Sequence, residues 1–140
     1  LTDKMLAARM TLNPSGEVMV DIVNDFVSKQ EEVVYVWTRP DKYFLRIGTS
    51  KIAVGKRLKI YQKHINDALS GRKKSPTPPE EARRWKEELK KYKYLTAYVH
   101  KPIGVKTIVG TIVPYLDIER ILINETKKKN KEQLLNRSHR

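Results

Sequence analysis

Apolar residues dominate two short runs, VVYVWT at 33–38 and YFLRIG at 43–48, on either side of a polar RPDK segment. Runs rich in Val, Tyr, Trp, Phe and Ile about a Pro-Asp turn predict a β-hairpin. The period then changes. In KIAVGKRLKIYQKHINDALSG, Val54, Leu58, Tyr61, Ile65 and Leu69 recur at helical spacing and Gly71 supplies a natural stop, so a helix is expected here. A second helix is expected over 79–92, with Pro79 in its first turn, Glu80 and Glu81 at the positive end of its dipole and Lys90 and Lys91 at the negative end. LTAYVH at 95–100 reads as a third strand.

The flanking segments are less regular. The Asn-Pro-Ser-Gly cluster at 13–16 signals a turn. After it, Val18, Met19, Ile22, Val23, Phe26 and Val27 fall at helical spacing and predict an amphipathic helix over 17–29, although EVMVDIV also fits a period of two. PIGVKTIVGTIVP is apolar and glycine-broken and divides into neither strand nor helix by pattern alone. YLDIERILINETKKK reads as a helix with Leu116, Ile118, Leu122 and Ile123 inward, and Leu134 and Leu135 dock an otherwise basic tail. The expected architecture is α+β: a small, three-stranded, mainly antiparallel sheet flanked by helices over 33–140, preceded by an N-terminal extension, 1–32, that packs as a helix.

Composition narrows the functional classes. The chain's 140 residues form about one domain and can bury a core. With no cysteine there is neither a disulfide nor a thiolate metal site, and His64, His100 and His139 are too far apart in sequence for a recognisable ligand motif. No apolar run approaches the roughly 18–20 residues of a membrane span, and the start does not read as a signal peptide, so a cytoplasmic or nuclear protein without a membrane partner is expected. A chain that opens on Leu1 is expected to be processed, trimmed or cut from something longer. The formal charge of +13 is unevenly placed: residues 1–50 hold 6 basic and 7 acidic side chains, residues 51–140 hold 23 and 9. Such asymmetry marks a surface for a polyanion, with nucleic acid the commonest. Lys56, Lys63, Arg72, Lys73, Lys74, Arg83, Arg84, Lys127 and Lys128 are the candidate phosphate contacts, and binding through them should weaken steeply with salt.

A hairpin carrying Val33-Val34-Tyr35 on its first strand and Arg46-Ile47-Gly48 at the end of its second, then a helix with Arg57, then a late helix with Glu119 in DIERILI, resembles the GIY-YIG endonuclease family. The likeness covers about 33–137 and is strongest to the small phage and restriction-type members. It implies a metal-dependent endonuclease acting on double-stranded DNA, with a possible homo-oligomer for cutting both strands. It further implies Tyr35 as candidate base, Arg57 on the phosphate, Tyr61 where the family often has His or Tyr, Glu119 holding Mg²⁺ or Mn²⁺, and Asn136 near the domain's end. His64 lies, with Arg57 and Tyr61, within about a 60° arc of one helix and is a further candidate for proton transfer.

Those residue types suit phosphodiester hydrolysis. A planar guanidinium grips phosphate oxygens, and Mg²⁺ keeps most of its waters and takes one or two carboxylates. Nearby positive charge favours a phenolate, which is the case for Tyr35 as base. The family's first Gly-Ile is Val-Val here, a conservative change in a strand. Its second tyrosine is Arg46, and Tyr43 cannot replace it because positions an odd number apart on a strand face opposite ways. Arg46 then binds phosphate, or Tyr61 takes over, or the chain is a catalytically impaired DNA- or RNA-binding module.

Overall fold

The computed structural model of the protein describes residues 3–71, 73–130 and 133–136. The N-terminal segment contributes two strands, β1 (Met5–Leu12) and β2 (Val18–Ile22), and a one-turn helix, α1 (Asp25–Ser28). Next come the expected hairpin, β3 (Val33–Thr38) and β4 (Phe44–Ser50), and the expected helices α2 (Val54–Ser70) and α3 (Pro79–Tyr92). Strand β5 (Leu95–His100) follows, then a short hairpin, β6 (Val105–Thr107) and β7 (Gly110–Ile112), and helix α4 (Tyr115–Lys129).

The class is α+β as expected, but the sheet is larger: five strands in the order β2-β1-β5-β3-β4, antiparallel throughout. The expected helix over 17–29 does not form. Val18 and Val20 are buried on one face while Asp21 faces solvent, the period-two reading, because Val18–Ile22 pairs along β1. Val23 and Phe26, inward in the helical reading, are exposed. The undivided stretch before α4 forms the β6–β7 hairpin, whose Ile108 and Val109 tip stands clear of the core.

The two faces of the sheet carry different layers. Tyr35 and Trp37 on β3 pack with Leu58, Tyr61 and Ile65 of α2 and Trp85 and Leu89 of α3. The intervening Val34 and Val36, with Ile47 of β4, meet Ile123 of α4 and Leu134. Alternation along one strand thus separates the α2–α3 layer from the α4 layer. On α4 the inward residues are Glu119, Ile123 and Thr126, and Leu116, expected inward, is 57% exposed.

Both sheet edges are closed by amide side chains. On β2, Asn66 of α2 accepts from Val18 N (2.8 Å) and donates to Val18 O (2.9 Å), while Gln62 accepts from Val20 N (2.9 Å). On β4, Asn136 accepts from Ile47 N (3.0 Å) and donates to Ile47 O (2.7 Å), imitating one residue of a further strand. An open edge offers unpaired backbone groups to any other chain, and these clips remove part of that offer. Leu134 and Leu135 dock beside the clip, as the sequence suggested. Asn136→Ala removes both bonds and is expected to lower stability by about 1–3 kcal/mol; an unchanged denaturation midpoint would show that the clip carries no load.

Candidate active-site cleft

Arg57, Tyr61 and His64 sit on one side of α2, as their spacing predicts, and line a cleft of about 190 Å³. Tyr35 and Arg46 line it from the sheet, and Pro76, Thr77 and Glu81 from the loop before α3 and its first turn. Five of the seven candidate catalytic residues therefore converge in one place. Asn136 reaches the same region from behind, through Ile47, next to Gly48. Glu119 is not among the residues lining the cleft. It lies on α4 one turn before Ile123, only 2% exposed, on the helix that covers the sheet's other face.

The cleft's geometry starts at Gly48. Tyr35 lies directly opposite it in the hairpin, and a Cβ added at Gly48 would fall 2.3 Å from both Cζ and Oη of Tyr35. No side chain fits there, so the glycine lets the phenol ring lie across β4. The Tyr35 hydroxyl thereby comes within 2.7 Å of the Tyr61 hydroxyl, a buried hydrogen bond. The rings meet edge to face, and Tyr61 packs the same way on Trp37 and Trp85, with centroids 5.7–6.0 Å apart. Such contacts add to the burial of each ring and fix its orientation.

Burial pushes the Tyr35 phenol well above its ordinary value, and the neighbouring Tyr61 adds to that shift. Arg46 and Arg57 act the other way but are outweighed, so Tyr35 is a hydroxyl rather than a phenolate at neutral pH. His64 moves down from its ordinary value, first through partial burial and then through the positive charge of Lys63, with Asp67 opposing and Arg57 adding to the shift. Its imidazole is therefore neutral at pH 7 and can accept a proton.

Arg46 is half-buried. Its Nη1 donates to Leu135 O at 3.4 Å and lies 3.9 Å from Oε1 of Glu81, while its Nε is buried with no hydrogen-bond partner among the described residues. Glu81 is the site residue that sequence reasoning missed, having been read only as a charge at the helix's positive end. The stripe through Trp85 and Leu89 runs back one turn onto it, and Trp85 Nε1 donates to its Oε2 at 3.4 Å. That four-residue spacing was the available signal.

Among the described residues there is no group of three or more His, Cys, Asp or Glu able to hold a metal. A hydrated Mg²⁺ needs one or two carboxylates, and Glu81 meets that requirement in number at the cleft wall, with Glu119 behind the sheet. Of the candidate phosphate contacts, Lys56, Lys73, Lys74 and Arg83 are exposed, Lys63 pairs with Asp67 at 2.6 Å, and Lys128 pairs with Glu125 at 3.3 Å. Arg84 and Lys127 are partly buried, and Arg72 lies outside the described residues.

No family model matches the sequence, and no curated protein matches it. Among solved structures the chain is similar to bacteriophage T4 EndoII, determined as a glutamate-to-alanine mutant, at 17% identity over 87% of this chain and 86% of that one, with a TM-score of 0.58. The restriction endonuclease HPY188I in complex with product DNA aligns at 17% identity over 93% of this chain and 77% of that one, with a TM-score of 0.49. The likeness to EndoII is one of fold.

Gly48→Ala is expected to force Tyr35 out of its place, break the hydroxyl pair and cost about 1–3 kcal/mol. Thermal unfolding reads the cost and tyrosine near-ultraviolet dichroism reads the displacement; a variant identical to the parent in both would remove the constraint.

Proposed function

We propose that the protein is a metal-dependent endonuclease that hydrolyses phosphodiester bonds in double-stranded DNA. The observation that carries this reading is the convergence of Arg57, Tyr61, His64, Tyr35 and Arg46 on one cleft. Support comes from the resemblance of the hairpin and helix motifs to GIY-YIG nucleases, and from a fold shared with a phage protein named as an endonuclease, T4 EndoII. A net charge of +13 suits the substrate.

Arg57, exposed at the rim, offers its guanidinium fork to the scissile phosphate. His64, neutral at pH 7, takes the proton from the attacking water. This role passes to His64 from Tyr35 because burial keeps the phenol protonated. The Tyr35–Tyr61 pair then orients a water or a phosphate oxygen by hydrogen bonding, and Arg46 holds the positive potential of the cleft floor beside Glu81. A bound Mg²⁺ or Mn²⁺ would supply Lewis-acid stabilisation at the phosphate and the departing 3′ oxygen. The motif resemblance implies Glu119 as its holder, whereas the carboxylate on the cleft wall, where such an ion would meet the phosphate, is Glu81.

A catalytically impaired binding module on the same fold is the second reading. It is favoured by the burial of Glu119 and by Arg46 where the family has tyrosine. It gives salt-sensitive binding without cleavage in either metal.

Supercoiled plasmid should be nicked or linearised with Mg²⁺ and left intact in EDTA. Arg57→Ala should slow cleavage by about 10²–10³ while DNA binding survives. Glu119→Ala and Glu81→Gln, run side by side, assign the metal: cleavage at the parental rate by Glu119→Ala removes that residue from the role, and no cleavage by the parent in either metal selects the binding module.

The pH profile gives a separate check. Because the His64 value is lowered, its base form persists below pH 6.5, so the rate should stay level through that point and fall only at more acid pH. His64→Gln should be slow and lack that acid limb; a limb unchanged in position and size would assign it to another group.

A further inference from the structure

A second, larger concavity of about 930 Å³ runs along the outer side of α2, between that helix, α1 and the end of β2. It shares the half-buried Ile60 with the cleft, so the two adjoin at that residue on α2. Ile22, Ala53 and Ile60 supply apolar walls, and four lysines, Lys29, Lys56, Lys59 and Lys63, stand around it against one carboxylate, Asp25. Two of the lysines are already engaged, Lys59 by Val20 O and Lys63 by Asp67. The ammonium groups of Lys29 and Lys56 are exposed and make no hydrogen bond or ion pair among the described residues, where only the backbone N–H of each is engaged.

The approach that brings Lys29 and Lys56 to one concavity is enforced by the chain. A Cβ at Gly55 would lie 2.8 Å from Ser28 Cβ and 3.1 Å from Ser28 O, so only glycine allows α1 to sit this close to the start of α2. Val54 N donates to Gln30 O at 2.9 Å and fixes the same approach. The next residue on α1 after Asp25, Phe26, is 70% exposed.

We propose that this groove is a DNA-backbone track: one strand of the duplex leaves the cleft across α2, with its phosphates at Lys56 and Lys29 and its sugars against Ile60 and Ile22. The proposal rests on the nuclease reading for its direction, from cleft to groove. Its chemistry is that of the lining: repeating anions separated by apolar sugar faces match two unpaired ammonium groups above an apolar wall. Phosphate and sugar contacts of this kind position a duplex without reading its sequence. A neutral apolar ligand would leave both lysines unused, and an acidic peptide would have no reason to adjoin the cleft.

The test is equilibrium binding of a labelled duplex oligonucleotide in EDTA, across a series of salt concentrations. Lys29→Glu with Lys56→Glu should weaken binding tenfold or more and flatten the salt slope by about two, near the 0.9 per phosphate contact expected for duplex DNA. Lys29→Gln with Lys56→Gln should flatten the slope similarly with a smaller loss. The control is Lys90→Glu with Lys106→Glu, the same change in net charge away from the groove. Parental affinity in the groove variants overturns the track, as does an equal loss in the control, which would mean bulk attraction alone. Because no metal is present, the outcome separates from catalysis. A parent that binds through Lys29 and Lys56 but never cuts keeps the track and loses the nuclease; a parent that cuts with an inert groove does the reverse.

Discussion

The contact on which the site depends is a phenol ring lying across a glycine. Tyr35 and Gly48 are partners in the hairpin register, and the missing Cβ at Gly48 is the space Tyr35 occupies. From there the ring reaches Tyr61, and a buried hydroxyl without a partner would cost about 1–3 kcal/mol, so the two tyrosines satisfy each other. Tyr61 in turn packs against Trp37 and Trp85, tying α2 to the sheet and to α3. Arg57 and His64, one turn to either side of Tyr61, are thereby fixed relative to the strand that carries Arg46. Sheet register, helix docking and cleft geometry are one constraint seen at three scales.

The sheet ends in side-chain clips at both edges. Asn66 and Gln62 clip β2, and Asn136 clips β4. The first pair belongs to α2, so the helix that bears Arg57 and His64 is anchored on the far edge by hydrogen bonds and in the middle by aromatic packing. The Asn136 clip brings the tail to β4 beside Gly48, and Leu135 O receives Arg46 there. An asparagine that the motif resemblance assigns to the site thus has a definite structural task at that place, and the arginine that replaces the family's tyrosine leans on the same tail.

Regular local patterns were legible; distant pairing was not. The hairpin, α2, α3 and β5 follow from period, caps and turn residues, because each is decided within its own segment. β1 escaped because MLAARMTL declares itself only through pairing with β2 and β5, the latter ninety residues away. Once β1 exists, VMVDI must be a strand, and the helical spacing of Val23 and Phe26 becomes an accident of composition. On α4 the eye follows Leu116, yet the helix turns Glu119 inward, since Ile123 and Thr126 set the packed face. Arg57, Tyr61 and His64 were legible as a set because α2 is an unbroken helix. Glu81 was not, because its charge suited the helix dipole equally well and hid its place on the stripe of Trp85 and Leu89.

The electrostatics then decide which of these groups can move a proton. Sequence reasoning took the positive charge near Tyr35, from an arginine and a metal, to favour a phenolate. That inference weighs only charge. Tyr35 is 3% exposed, and taking a phenolate out of water outweighs the attraction of Arg46 and Arg57, particularly with a second hydroxyl 2.7 Å away. His64 meets Lys63 and Arg57 at a less buried position, and for an imidazole desolvation and positive neighbours act in the same direction, both favouring the neutral base. One positive cleft therefore produces opposite results in its two candidate bases: the phenol stays a donor, and the imidazole is freed to accept. The division follows from the charge of each group's deprotonated form, an anion for the phenol and a neutral ring for the imidazole.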